Sequence, residues 1–450
     1  MKHFNRRSRL SLLLVGLVIC SLVLGACRPV TASAPAQAYS ADVAVAWFDL
    51  ALDLVRSTPG YSPPVASRTL GYMGVALYET VQPGMTGYRS LAGQLNELEK
   101  MPAIEPWRPY HWPSAANSTL AVLVRELFPM APPEKLTAID ELEAHFAQQF
   151  AADTEAVVLQ RSAAWGKTVA DTVFAWSLTD GGHEGYMTNF PEAYVPPQGV
   201  GLWVKTPPAF AHALQPYWGG NRPFVLQDGA ACPAVAPPAY SEEPGSAFYR
   251  EAMEVYTTVS RGDPQEVEIA RFWADDPGRT ATPPGHWVAI LGQVLQQEEA
   301  SLGLAAEVYA KLGIAVADAF ITCWYTKYVF HMPRPITYIQ KVIDVSWNAK
   351  EITDPVTTPP FPEYTSGHSV QSSAAALVLT DLFGERYAFT DNTNDYLGFA
   401  PRSFGSFAEA AEEAARSRLY GGIHYRAAIE QGLLQGRCVG EHVLALEFGQ

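Results

Sequence analysis

Residues 302–335 read LGLAAEVYAKLGIAVADAFITCWYTKYVFHMPRP. The first 29 are an apolar stretch with no proline, a single long helix, and Pro333 and Pro335 end it. Lys327 therefore lies near the end of that helix, and Arg334 sits in the extended segment beyond it. Working outward, the same reading recurs along the chain. VAVAWFDLALDLVR at 43–56 has apolar residues at helical spacing. VASRTLGYMGVALYETV follows Pro63-Pro64, prolines where a helix begins. Further helices are predicted at about 115–128, 134–152, 154–178, 245–260, 264–274, 286–300, 369–383, 407–419 and 426–447. Two stretches lack this period. Residues 179–243 are rich in Gly, Pro, Trp and Tyr and read as a long ordered loop packed over the domain, since so many aromatics are costly to leave in water. Residues 346–365 read as a second loop. No strand series and no internal repeat is evident. The fold class is all-α: one helical bundle domain over 41–450 with long loops at one end.

The N-terminus is of another kind. Lys2, Arg6, Arg7 and Arg9 precede LSLLLVGLVICSLVLGA, which reads as a signal peptide over 1–26. It ends in Leu24-Gly25-Ala26-Cys27, a pattern resembling the bacterial lipobox, so Cys27 is the expected lipidation site. Residues 27–40 form the tether of an exported, membrane-anchored lipoprotein of a bacterial cell envelope. Three cysteines remain, Cys232, Cys323 and Cys438. They have no C-x-x-C spacing, so zinc and redox motifs are unsupported. Cys323 and Cys438 stand in apolar helical sequence and read as buried, and the sequence does not say which pair, if any, is bridged.

Charge narrows the function. The formal net charge is −15, 17% of residues are charged and 48% are hydrophobic. Residues 1–26 carry four cations and no acid, so the mature chain would stand at −19. That argues against nucleic-acid binding. It also makes any cluster of cations in one place a candidate anion site. Three segments supply one. Lys327 to Arg334-Pro335 is the first. The second is Phe361-Pro362-Glu363-Tyr364-Thr365-Ser366-Gly367-His368, where Ser366 and Gly367 open a helix whose free N–H groups and dipole suit an anion. The third is Ser417-Arg418 to His424, in which Arg418 ends a helix that starts with the capping box Ser406 to Glu409. Arginines offer paired hydrogen bonds to a tetrahedral oxyanion and lysine a point charge. One imidazole can act as nucleophile or metal ligand, and another can shuttle protons. Singly, each residue is an ordinary surface cation or turn. His286 and His331 have no partner motif and read as structural or loop histidines.

In that order, K-x6-R-P, S-G-H and S-R-x5-H resemble the shared signature of vanadium-dependent haloperoxidases and type-2 phosphatidic acid phosphatases. The resemblance implies vanadate as cofactor, with phosphate as a competing occupant. Lys327, Arg334, Ser366, Gly367 and Arg418 would hold the oxyanion, His424 would be the vanadium ligand, and His368 the acid–base residue. Lys327 would polarise the peroxide. Trp324 and Phe361 match aromatics on the halide side of chloroperoxidase-like members; the plainer reading is core packing. The segment Phe272 to Asp276, followed by Thr282-Pro283-Pro284, resembles the region whose acid orients the second arginine, which points to Asp275 or Asp276, Asp275 first. Two positions depart from the pattern. Thr365 replaces the usual proline, and Ala428 stands where the phosphatases place the acid partner of the last histidine, leaving the partner of His424 unidentified. Expected substrates are hydrogen peroxide and a halide, giving hypohalous acid or an equivalent. The alternatives are an acid phosphatase acting on a phosphate ester through a phosphohistidine, and a phosphate-binding lipoprotein without activity. The halide, the organic acceptor and the oligomeric state are left open by the sequence.

Overall fold

The computed structural model describes residues 33–348 and 356–449. The signal peptide and Cys27 lie outside them, as does part of the loop predicted at 346–365. Thirteen α-helices are found among the described residues. The first five are α1 (Asp42–Ser57), α2 (Pro63–Val81), α3 (Trp112–Leu127), α4 (Pro133–Ala151) and α5 (Ala156–Ser177). After the long loop come α6 (Ala247–Arg261), α7 (Pro264–Phe272), α8 (Thr282–Gln297), α9 (Leu302–Phe330) and α10 (Pro335–Val342). The chain ends with α11 (Gly367–Phe383), α12 (Phe407–Tyr420) and α13 (Arg426–Leu444). Two features went unread in the sequence: the short α10, and a two-stranded antiparallel hairpin, β1 (Phe389–Asp391) with β2 (Arg402–Phe404).

Helix α9 is buried nearly all round, as a helix apolar on every face must be. It packs along α2 and against α11. The α2–α9 crossing is close because of glycine: a Cβ on Gly74 would stand 2.3 Å from the Tyr309 carbonyl oxygen, and one on Gly313 2.8 Å from that of Leu70. One hydrophobic core runs from α1 through α9 to α13. No helix among the described residues is long and apolar enough to cross a membrane.

Residues 179–243 are irregular apart from two short 3-10 turns, as predicted. Buried carboxylates pin this segment to the helices. Asp318 of α9 accepts the N–H groups of Phe224, Val225 and Leu226 at 2.7, 2.9 and 3.1 Å. Asp180 accepts from Arg68 and from Tyr72 of α2 at 2.6 and 2.9 Å. Cys232 and Cys438 form a disulfide that ties the loop to α13. This corrects the reading of Cys438 as a buried apolar residue; among the described residues Cys323 is the free cysteine, and it is buried.

Candidate active site

The three cationic segments converge where the ends of α9, α11 and α12 meet. α9 ends at His331, whose φ of 48° turns the chain out of the helix. Arg334 then begins α10 and is fully buried. Ser366 caps α11, its Oγ accepting from the Ser369 N–H at 3.3 Å, and Gly367 is the first helical residue, whose N–H has no acceptor within the helix. Arg418 lies in the last turn of α12. His424 follows the Gly421-Gly422 turn, and Gly422 has the φ of 73° that suits glycine there.

The imidazole of His424 is held in one tautomer. Its Nε2 lies 3.1 Å from Nη1 of Arg334, and a guanidinium can only donate, so Nε2 carries the lone pair. Nδ1 therefore bears the proton and donates to Glu363 Oε1 at 2.7 Å. The same oxygen accepts the Tyr425 N–H at 2.9 Å. Glu363 is thus the missing partner, supplied from inside the second motif rather than from the turn after His424. Burial drives the His424 pKa well below the ordinary value, with Arg334, Lys327 and Arg418 adding to the effect, so the ring is neutral. Burial likewise raises Glu363 to about 7, against the pull of Arg334 and Lys327.

Arg334 donates through Nε to the Phe361 carbonyl at 2.8 Å and through Nη1 to that of Ile423 at 2.9 Å. Arg418 donates through Nη1 to the Trp273 carbonyl at 2.8 Å. Nη2 of Arg334 and Nε of Arg418 are buried with no acceptor among the described residues. Both guanidiniums have pKa values lowered to about 10 by burial and remain cations. Buried donors of this kind are costly unless something accepts from them. An oxyanion does so, and the residues fit the vanadate that the sequence implied.

Lys327 reaches the same slot from the last turn of α9. It is fully buried, and its ammonium group donates to the carbonyls of Pro362 and Glu363 at 3.2 and 2.9 Å and also to that of Thr365. All three hydrogens have acceptors, so in this arrangement Lys327 lends charge to the slot, and a direct bond to an oxyanion or peroxide requires giving up a carbonyl. Burial lowers its pKa to about 8. His368 donates from Nε2 to the Trp273 carbonyl at 2.9 Å, which leaves Nδ1 as the atom able to gain or lose a proton. Its pKa is driven well below the ordinary value, by burial first and then by Arg418.

A cavity of about 750 Å³ reaches His368, Arg418 and His424. Its walls include Trp324 and Phe361, whose rings lie 4.9 Å apart. The two aromatics are therefore both well packed and site-lining. Trp324 is 1% exposed and donates to the Leu214 carbonyl, while Phe361 lies under the Arg334 guanidinium at 4.7 Å.

The expectation for Asp275 is corrected. It does not hold Arg418: its carboxylate lies 3.0 Å from Nδ1 of His286, and the bond that orients Arg418 goes to the Trp273 carbonyl. Asp276 and Asp275 act on Arg418 through charge, favouring its cationic form. His286 is a fully buried residue in the second turn of α8, and His331 is the C-cap of α9.

Comparison with known proteins gives the context. The description "VCPO second helical-bundle domain" fits residues 307–448, which hold all three motifs. Among curated proteins none matches the chain. The crystal structure of a bacterial vanadium-dependent iodoperoxidase is 38% identical, covers 92% of this chain and 98% of its own, and superposes with a TM-score of 0.81. A bacterial vanadium-dependent chloroperoxidase in its holo form shares the fold at 15% identity, covering 87% of this chain and 93% of its own with a TM-score of 0.64. Its apo form does so at 13%, covering 85% and 94%, with a TM-score of 0.61. The buried oxyanion slot, the mostly helical fold and a 38%-identical relative matched over nearly its whole length together establish that this chain belongs to the vanadium-dependent haloperoxidases.

Proposed function

We propose that this chain binds vanadate between Arg334, Arg418 and the Gly367 helix start, with Nε2 of His424 as ligand, and oxidises iodide with hydrogen peroxide. The observation that carries the site assignment is the pairing of two buried guanidinium donors that have no acceptor among the described residues with a histidine whose lone pair is fixed at Nε2. Vanadate supplies a Lewis acid that activates peroxide toward a halide without changing its own oxidation state. The protein's part is positioning and proton supply. Glu363 holds His424 in its ligating tautomer. Arg334 and Arg418 neutralise the anion, aided by the charge of Lys327. Each turnover consumes one halide, one peroxide and one proton and yields hypohalous acid and water. Nδ1 of His368, which carries the lone pair of the neutral ring, is the atom that takes up this proton and passes it on. Trp324 and Phe361 form the wall on which the halide rests. Iodide is the first halide to test because the 38%-identical relative is an iodoperoxidase.

Export and anchoring through a lipidated Cys27 complete the proposal. Lys2 to Arg9, the apolar run and Leu24-Gly25-Ala26-Cys27 support it, and so does the Cys232–Cys438 disulfide, which suits an oxidising compartment. Intact mass of the mature protein should show an acylated Cys27 as first residue. The activity is tested by peroxide-dependent halogenation of a dye with iodide, bromide or chloride, with and without vanadate, beside phosphate-ester hydrolysis. Halogenation that requires vanadate supports the reading; ester hydrolysis alone overturns it. His424→Ala should abolish turnover and weaken vanadate binding, whereas His368→Ala should slow turnover and leave binding intact.

A further inference from the structure

Both ring nitrogens of His286 face carboxylates. Nδ1 is 3.0 Å from each oxygen of Asp275, and Nε2 is 2.8 Å from Oδ2 of Asp391 on β1. An ionised carboxylate only accepts, so both nitrogens must donate and the ring is an imidazolium. Burial opposes that charge, but Asp275 and Asp391 outweigh it and raise the pKa to about 10. All three side chains are at most 1% exposed. Two residues of this segment, Asp275 at φ 50° and Thr282 at φ 65°, hold left-handed backbone conformations that are costly for side-chain-bearing residues, above all for a β-branched one. The fold maintains both around this ion triplet.

The triplet lies beneath the site. The indole of Trp273 stacks on the His286 ring, centroids 4.4 Å apart and 21° from parallel, and its Nε1 donates to Glu413 of α12 at 3.0 Å. The carbonyl of Trp273 accepts from Arg418 Nη1 at 2.8 Å and from His368 Nε2 at 2.9 Å. One peptide oxygen thus orients both the anion-binding arginine and the proton-delivering histidine. We infer that His286 is a positioning residue for halide oxidation: clamped by Asp275 and Asp391 and stacked under Trp273, it fixes the carbonyl that aims His368 and Arg418. The inference rests on the function proposed above for those two residues.

Charge explains why an imidazolium is used where an apolar ring would also pack. Asp275 stands 3.9 Å from Nε2 of His368. Left uncompensated, that carboxylate would favour a charged His368 and draw Arg418 toward itself. The groups acting on His368 are Arg418 from α12, His286 from α8, Lys327 from α9 and Asp275 from the loop before α8. His286→Gln removes the imidazolium hydrogen-bonded to Asp275.

The test measures vanadate affinity of the apo-protein by calorimetry, the pH profile of kcat, and the melting temperature, in His286→Gln and in Asp391→Asn. In His286→Gln the vanadate Kd should rise about 10- to 100-fold, as when a group that orients a metal ligand is lost. The limb of the profile set by His368 should move to higher pH by about one unit, because a bare carboxylate favours its protonated form. Asp391→Asn keeps the ring but loosens the clamp and should give the same changes in smaller size. A purely structural role predicts a lower melting temperature with affinity and limb unmoved, and that result overturns the inference. Should His286→Gln fail to fold, an unmoved affinity and limb in Asp391→Asn overturns it equally. A wild-type protein that neither takes up vanadate nor oxidises halide would instead defeat the underlying functional reading.

Discussion

Glu363 shows what one buried carboxylate can decide. It is fully buried, fixes the tautomer of His424 and sits among the cations that the oxyanion needs. Glu363→Gln keeps an oxygen that can accept from Nδ1 of His424 and from the Tyr425 N–H, but removes the charge. Vanadate affinity should fall about 10- to 100-fold with the fold intact, read by equilibrium dialysis and metal analysis. The stability effect has a definite sign. The folded-state pKa is raised to about 7, above the ordinary carboxylate value, so the native state holds the proton more tightly than the unfolded one. Stability from this group is present at low pH and is lost as pH rises toward 7. Relative to wild type, the glutamine variant should therefore melt higher at pH 8 than at pH 4.5, and an equal difference at the two pH values would contradict the assignment. The sequence displayed this residue inside the Phe361–His368 motif. Its role was hidden because the pairing spans 61 positions, and a search beside His424 finds only Ala428 and Glu430.

At the scale of elements, the crossing of α2 and α9 carries a direct prediction. Gly74→Ala places a methyl group against the Tyr309 carbonyl, a backbone atom that cannot rotate aside. The cost should be about 1–3 kcal/mol in chemical denaturation, the range for overpacked cores. The disulfide gives a second. Cys232 and Cys438 are 206 positions apart, and closing so long a loop in the unfolded chain corresponds to about 5 kcal/mol in the chain-entropy account. Cys438→Ser, or reductant, should lower the melting temperature clearly; no change would mean that the bridge leaves the unfolded ensemble unconstrained. These elements also mark what the sequence could disclose. The long helices were legible from apolar period, and the starts of α2, α11 and α12 from Pro63, Ser366 and Ser406. Helix α10 was not, since PITYIQKV is short, begins with Pro335 and lies just behind Pro333. Strands of three residues carry too little alternation to register. The cysteine pairing and the Asp275–His286–Asp391 contacts depend on tertiary proximity, which no local pattern encodes.

At the scale of the whole molecule, an acidic protein of net charge −15 encloses Lys327, Arg334 and Arg418 in its interior. The surface charge repels anions at long range, so anion affinity depends on these buried cations, and one of them titrates within reach. Burial lowers Lys327 to about 8, with Arg334 adding to the effect. In the empty protein it loses its charge as pH rises through that value, while the unfolded chain keeps its lysine protonated up to about 10.4. Between those pH values the unfolded state binds more protons, so the stability of the apo-protein should rise with pH over that window through this group. Anion binding should run the other way. Inorganic phosphate is already largely the dianion above neutrality, so a decline in its affinity from pH 7.5 to 9.5 reports the site and not the ligand. Lys327→Met should bind phosphate weakly at all pH values and flatten the decline. Vanadate should compete with phosphate for the same slot and win, because it accepts a fifth ligand from Nε2 of His424 and phosphate in its ground state does not. Arg418→Ala should weaken both anions. Calorimetric titration of the apo-protein with phosphate, then with vanadate in excess phosphate, measures all of these. Phosphate binding that is independent of pH across this range in wild type, or vanadate uptake indifferent to phosphate, would place the anion somewhere other than between these three cations.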